Sequence, residues 1–130
     1  MSEHPNVTVI NRMTQAVFES DRQALAEIFT EDYVLHMRGP LPRPGDHPGV
    51  DGFLDALGAV FDLTDGDVKI QQLHCTADDQ WGVEWEYAVL GRKGHTLTMN
   101  NAFAYRFEDG RIAEMWFISA APAEAASFWA

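Results

Sequence analysis

The chain has 130 residues, and its formal net charge is −11 because 20 Asp and Glu residues oppose only 9 Lys and Arg residues. This length predicts a single domain over residues 1–130, and a hydrophobic content of 46% is enough to build a core. So acidic a chain repels phosphate backbones and anionic headgroups, which argues against nucleic acid and membrane partners. No apolar run approaches the roughly 20 residues that span a bilayer.

The cellular location is predicted from the N-terminus and the cysteine content. The opening sequence MSEHPNVTVI lacks the basic start and the apolar core of a signal peptide. Cys75 is the only cysteine, so no intrachain disulfide can form. Together these features predict a cytoplasmic protein.

Helical periodicity predicts two helices at the start of the chain. Residues 7–19 repeat apolar side chains at helical spacing, and residues 21–29 do the same over a shorter length. Ser20 and Gln23 are predicted to form a capping box that begins the second helix. Residues 33–37 then predict a short strand.

Residues 38–49 form the least regular part of the sequence. Four prolines and three glycines in this stretch cannot continue a helix or join a central strand. The composition predicts a stiff loop, which is either the rim or lid of a site or a mere connection.

The rest of the chain predicts one more helix and a meander of strands. Residues 51–63 form the third helix, and residues 68–76 and 81–90 form two strands. The tail, residues 122–130, predicts one helical turn that docks Phe128 and Trp129. Helices followed by antiparallel strands indicate an α+β fold, in which a curved sheet wraps around three helices and leaves a cavity between them.

Residues 95–119 predict a β-hairpin, because two alternating runs flank the turn dipeptide Asp109-Gly110. In the first run one face is large and apolar and the other is small or polar, as in a sheet with one buried side. Asn101 lies on the apolar face, where an amide needs a partner, either a neighbouring side chain or a ligand. That face also carries Leu97, Met99, Phe103, Tyr105 and Phe107.

Two glutamates give the predicted strand 81–90 an ambiguous pattern. Glu84 and Glu86 share one face, and Trp81 and Trp85 share the other. If the acids face a cavity, burial and mutual repulsion keep one of them protonated near neutral pH, which gives an acid beside a base. If the tryptophan face is the core, the acids face solvent or a wet dimer interface. Alternation alone slightly favours the second interpretation, because charged residues are rarely buried unpaired.

His36 is a further candidate base, since its ordinary pKa lies near neutrality. His36 and Met37 are neighbours on a predicted strand, so only one of them faces the cavity. Arg38 either binds a substrate carboxylate or forms a surface salt bridge, which is the more usual outcome. Tyr105 and Trp116 could donate hydrogen bonds to a ligand or could be plain core aromatics.

The pattern of histidines and cysteine favours neither a metal site nor a thiol nucleophile. The five histidines lie in loops or on separate predicted strands, and no pair has the spacing of metal ligands. Cys75 has no basic neighbour in sequence that would lower its pKa. We therefore expect no metal.

Two segments carry a family resemblance, the stretch DRQALAEIFTEDYVLHMRGP and the C-terminal DGRIAEMWFISAAPAEAASFWA. With the Pro/Gly loop and helix between them, they resemble a SnoaL-like domain of the nuclear transport factor 2-like superfamily. Ketosteroid isomerase, limonene epoxide hydrolase and the polyketide cyclases are relatives. The resemblance implies a cone-shaped domain with an apolar pocket and no cofactor, which forms a homodimer through its sheet.

The resemblance also implies that the catalytic groups of ketosteroid isomerase are replaced in this chain. The positions of its tyrosine, its base and its second acid correspond to Met13, Met37 and Phe103, which are all apolar. Ser119 corresponds to the aspartate that the cyclases and the epoxide hydrolase use, and a serine cannot act as a carboxylate base.

One correspondence survives in altered form. The epoxide hydrolase carries an Arg-x-Asp pair on a pocket strand, and Glu84-Trp85-Glu86 lies at that position. Glu86 keeps the carboxylate, whereas Glu84 reverses the charge of the arginine.

These observations predict a small-molecule pocket protein, an acid/base enzyme of the isomerase, cyclase or epoxide-hydrolase type without a cofactor. Its substrate would be apolar and polyketide-, steroid- or terpenoid-like. The alternative is a non-catalytic ligand-binding or dimerisation domain of the same fold. The predicted acid/base pair is Glu84 and Glu86, supported by His36. The predicted ligand-binding residues are Met13, Met37, Arg38, Asn101, Phe103, Tyr105, Trp116 and Phe117.

Overall fold

A computed structural model describes residues 3–39, 41–119 and 121–130, so Pro40 of the predicted loop lies outside the described residues. Helices occupy the start, the middle and the end of the chain. They are α1 (Pro5–Glu19), α2 (Arg22–Ile28), α3 (Gly49–Leu63) and α4 (Pro122–Trp129). The strands are β1 (Phe29–Met37), β2 (Gly45–Pro48), β3 (Val68–Ala77), β4 (Trp81–Arg92), β5 (His95–Glu108) and β6 (Arg111–Ser119).

The strands form one sheet in the order β2-β1-β6-β5-β4-β3. Strands β3 to β6 make the antiparallel meander that the turns predict, and β1 joins β6 in parallel. The predicted α+β class, a curved mixed sheet wrapped around helices, is therefore confirmed. Within the described residues, no helix has the length and apolar character needed to cross a bilayer.

The start of α2 differs from the predicted capping box. Ser20 ends α1 in the left-handed conformation, with φ of 53°, and its N–H donates to the last turn of that helix. An N-cap needs extended backbone, so Ser20 cannot begin the next helix. Asp21 caps it instead, because its side chain accepts a hydrogen bond from the Ala24 N–H at 3.0 Å.

The proline-rich segment contains a short strand that the composition does not predict. Strand β2 pairs with β1, His36 opposite Asp46, at one edge of the sheet. An edge position tolerates Pro48 because one side of the strand needs no ladder hydrogen bonds. Strand β1 begins at Phe29, earlier than predicted, since a bulge between Phe29 and Val34 interrupts the alternation.

The core lies between the helices and the inner face of the sheet. Tyr33 stacks on Phe29 with ring centroids 3.7 Å apart, and both contact the ring of Phe53 from α3 edge-on. A second cluster packs Ala125 of α4 against Leu97 and neighbouring residues of the sheet. Helix α4 is therefore longer than the single predicted turn, and Phe128 and Trp129 do pack against the core.

Two glycines test how closely the layers pack. A Cβ on Gly82 would lie 3.0 Å from Phe107 Cε2 and 3.1 Å from Ile10 Cδ1, so Gly82→Ala should destabilise the fold by about 1 kcal/mol. The matched control is Gly58→Ala within α3, where a Cβ would meet nothing within 4 Å. It should stabilise by about 0.5–1 kcal/mol, because alanine is the better helix former. Denaturant unfolding measures both changes, and a stabilised Gly82 variant would contradict the close packing.

Candidate active site

The main cavity lies between the helices and the inner face of the sheet. Its volume is about 180 Å³, and its lining includes the exposed side chains of Phe18 from α1 and Ile70 from β3. Its walls are mostly apolar, and its polar side chains come mainly from β3, β4 and β5. An apolar cavity of about 150 Å³ holds a benzene ring, so this cavity has room for a small ring compound.

Strand β4 turns its acidic face towards the cavity. Glu84 and Glu86 line the cavity and are only 5% and 8% exposed, whereas Trp81 and Trp85 on the opposite face are 51% and 43% exposed. The interpretation in which the tryptophan face is the core is therefore wrong. The reason is the register with β5, which places Glu86 beside Asn101, on the apolar face of the hairpin.

The carboxylate of Glu84 has a hydrogen-bond donor on each oxygen. Tyr105 Oη donates to Oε1 at 2.9 Å, and Gln72 Nε2 donates to Oε2 at 2.6 Å. Both oxygens of this buried carboxyl group therefore have hydrogen-bond partners within the protein. Burial and the charge of Glu84 raise the pKa of Tyr105 well above its ordinary value, so the phenol keeps its proton and remains a donor.

Glu86 lies in a much poorer polar environment. Its Oε1 accepts one bond from Asn101 Nδ2 at 3.2 Å, and its Oε2 accepts none from the described residues. Burial raises the pKa of Glu86 to about 7, the Asn101 bond opposes this shift, and the negative charge of Glu84 adds to it. Glu86 can therefore both accept and release a proton near neutral pH.

Asn101 finds its partner in a neighbour, one of the two outcomes expected from the sequence. Its Nδ2 bonds to Glu86, while its Oδ1 is buried without a donor among the described residues. The pair is fixed because β4 and β5 place these two residues directly opposite each other.

The cavity also contains most of the predicted apolar wall. Met13 from α1, Met37 from β1, and Phe103 and Phe117 from the hairpin all line it, as does Tyr105. Met13 and Met37 therefore lie at the cavity with apolar side chains, as the family correspondence implies.

His36 does not reach the cavity, and its predicted supporting role there is wrong. Met37 takes the inward position, so the ring of His36 lies on the outer face. Its two nitrogens lie 2.7 Å from carboxylate oxygens of Asp46 and Glu114, an arrangement that the doubly protonated ring satisfies. Burial alone would lower the pKa of His36, but the bonds to these two carboxylates raise it above its ordinary value.

Arg38 and Trp116 are also absent from the cavity wall, contrary to prediction. Arg38 is exposed and lies 3.9 Å from a carboxylate oxygen of Asp46, which is the surface salt bridge considered above. Trp116 lies on the outer face, where its ring stacks on that of His36 with centroids 5.2 Å apart. Both follow from the alternation of β1 and β6, which sends Met37 and Phe117 inward instead.

Sequence reasoning missed Gln72 and underrated Trp129. Gln72 joins two elements, because its Nε2 donates both to Glu84 and to Asn11 Oδ1 of α1, at 3.0 Å. Gln72 lies two residues after Ile70, so regular alternation would place both side chains on the same, cavity-facing side of β3. The bulge after Gln72 interrupts this alternation, which makes the pattern hard to recognise in the sequence. Trp129 closes part of the cavity from α4. In the described part of the chain, no three His, Cys, Asp or Glu side chains are grouped as a metal site requires.

Comparison with known sequences identifies one family. A sequence profile of the SnoaL-like domain matches residues 10–115 of the chain. No curated protein matches it significantly.

Solved structures share the same architecture. Bal32a, from a soil-derived mobile gene cassette, matches with a TM-score of 0.85 and 24% identity, over 97% of each chain. A candidate SnoaL-like polyketide cyclase from Jannaschia sp. CCS1 matches with a TM-score of 0.76 and 15% identity, over 98% of this chain and 94% of that one. IdmH, a candidate polyketide cyclase from Streptomyces antibioticus, matches with a TM-score of 0.70 and 20% identity, over 90% and 93%. At such identities the comparison shows the fold alone.

The raised pKa of Glu86 predicts a pH-dependent stability. Protonated Glu86 contributes stability that is complete below its ordinary pKa of 4.5 and is lost as the pH rises through about 7. Glu86→Gln, which cannot ionise, should therefore be more stable than the wild type by about 3 kcal/mol at about pH 8 and equally stable at about pH 4. Denaturant unfolding at the two pH values measures the difference.

The exposed Glu31→Gln makes the same charge change and should alter stability at neither pH. Carboxyl NMR of the wild type provides a direct check. Titration of Glu86 near its ordinary value would contradict the burial argument.

Proposed function

The chain belongs to the SnoaL-like domain family, and on that premise we propose that it is a cofactor-independent acid/base enzyme for a small apolar molecule. The observation that carries the proposal is the pair of buried carboxylates in one apolar cavity, with two donors on Glu84 and one on Glu86. Unequal surroundings of this kind give two neighbouring carboxyl groups different roles.

In this proposal Glu86 moves the proton. A general base works best when its pKa lies near the working pH, and the pKa of about 7 meets that condition. The carboxylate takes a proton from a carbon next to a carbonyl group and returns it to another atom of the same molecule. Glu84, already bonded by Tyr105 and Gln72, fixes the polar side of the cavity. Isomerisation and ring closure both use such a transfer.

The cavity supports a small substrate rather than a large one. A volume of about 180 Å³ suits one ring or a compact fused pair, whereas pockets for drug-sized ligands measure about 300–1,000 Å³. A terpenoid-like or short polyketide-like molecule fits this size better than a complete steroid. The candidate polyketide cyclases that share the fold support ring closure as the reaction class.

A non-catalytic binding protein is the second candidate. Met13, Met37 and Phe103 fill the cavity wall where the relatives' catalytic residues were expected, so the cavity lacks the acid/base groups that the resemblance would have brought. Such a protein would hold the same ligands without changing them.

We further propose that the protein forms a homodimer through the outer face of the sheet. The register aligns Trp85, Ala102 and Ile118 across β4, β5 and β6, and Trp85 and Ile118 are 43% and 53% exposed. An exposed row of large apolar side chains is typical of an interface. A cytoplasmic location stays a prediction from the sequence.

Proton exchange tests the catalytic proposal without knowledge of the natural substrate. A small cyclic ketone such as cyclohexanone, incubated in D₂O, should exchange its α-protons faster with the protein than in buffer, as followed by proton NMR. Glu86→Gln should reduce the catalysed rate by about 10²- to 10⁴-fold, because it removes the base. The exposed Glu31→Gln should retain it. A ketone that binds without exchanging would favour the binding protein instead.

Sedimentation tests the dimer. Ile118→Glu places a charge at the β6 end of the exposed row and should shift the protein from dimer to monomer, because an unpaired buried charge is costly. Leu63→Glu, at an exposed site on the end of α3, should leave the dimer intact. A wild type that sediments as a monomer would show that this face has another role.

A further inference from the structure

The charged side chains that line the cavity all have the same sign. Glu84 and Glu86 are both acidic, and no Lys, Arg or His lines the wall in the described part of the chain. The chain as a whole carries a net charge of −11, which adds to the negative potential. The cavity therefore disfavours carboxylates and phosphates and favours cations.

The two carboxylates already engage most donors of the cavity. Tyr105 and Gln72 donate to Glu84 and Asn101 donates to Glu86, and the buried Trp129 Nε1 is a donor without an acceptor among the described residues. Glu86 Oε2 still accepts nothing from the described residues, although Glu86 is more than nine-tenths buried. Asn101 Oδ1 is likewise without a donor. Both oxygens therefore lack a hydrogen-bond donor. A donor to Glu86 would also have to balance the negative charge of the ionised carboxylate.

Aromatic rings form much of the wall of the same cavity. The ring of Phe103 lies 5.2 Å from that of Phe117 and 6.4 Å from that of Tyr105, and Phe53 and Phe61 line the cavity as well. Aromatic faces attract organic cations, and the attraction strengthens where water is excluded. The wall can therefore pack against the hydrocarbon part of a ligand and can also attract a positively charged group.

We propose that the cavity selects small apolar amines, whose ammonium group donates to Glu86 Oε2 while the hydrocarbon body packs against the aromatic wall. A hydroxyl group could donate to the same oxygen, but it would leave the charge of Glu86 unbalanced. An ammonium group supplies both the donor and the opposite charge, which is the condition under which buried charges are tolerated. This inference rests on the proposed ligand pocket and not on the proposed reaction, since a Glu86 paired with an ammonium group is not available as the base for a ketone.

Three probes of nearly equal size test the charge preference: benzylamine, benzyl alcohol and benzoate. At about pH 8, calorimetry should show benzylamine binding about ten-fold more tightly than benzyl alcohol, and benzoate binding more weakly than either. Pairing with an ammonium group favours ionised Glu86, so the advantage of the amine should shrink as the pH falls from about 8 to about 5. Binding of benzyl alcohol should change little over the same range.

Two variants test whether Glu86 causes the preference for the amine. Glu86→Gln should abolish the preference for benzylamine over benzyl alcohol, because it removes the negative charge, whereas the exposed Glu31→Gln should leave the preference unchanged. Equal binding of the amine and the alcohol to the wild type, or an unchanged preference in Glu86→Gln, would overturn the amine selection and leave the acid/base proposal standing. Failure of all three probes to bind would overturn the ligand pocket itself, and the proposed function with it.

Discussion

Glu84 and Glu86 lie two residues apart on the inner face of β4, and the donors around them are shared unequally. Two buried like charges cannot both be well solvated by so few groups, because removing an ion from water costs several kcal/mol. Glu84 accepts hydrogen bonds from Tyr105 and Gln72, whereas Glu86 accepts one hydrogen bond, from the side-chain amide of Asn101. The proton affinity of Glu86 follows from that division, and the proposed chemistry depends on it.

The same strand determines the outer surface. Because side chains alternate on β4, inward glutamates force Trp81 and Trp85 outward, where Trp85 lies opposite Ala102 of β5 and Trp81 lies opposite Arg106. A strand with apolar residues facing inward would leave charges on the outer face, and the proposed sheet-to-sheet contact would be lost. The polarity of the cavity and the apolar character of the outer face are thus two consequences of a single register.

Local patterns predicted the fold well because its signals are local. Asp109-Gly110 and the alternation before it suffice to predict the β5–β6 hairpin, and helical spacing predicts α1 and α3 within two residues at each end. The errors arose where a local pattern was interrupted. The bulge in β1 interrupts the alternation of its first residues, so the sequence pattern does not predict that part of the strand. Strand β2 forms because it pairs with β1, and its own composition does not predict a strand.

The candidate site was harder to predict, because an alternating strand shows which residues share a face but not which face is buried. Glu84 and Glu86 could be placed only through Asn101 and Phe103, their neighbours across the β4–β5 pair. His36 and Met37 posed the same question, which β6 settles by pairing them with Trp116 and Phe117. The family resemblance placed Glu84-Trp85-Glu86 on a pocket strand, but its other catalytic positions correspond to the apolar Met13, Met37 and Phe103 and to Ser119. The two buried carboxyl groups of this cavity lie on β4, which pairs with β3 on one side and β5 on the other.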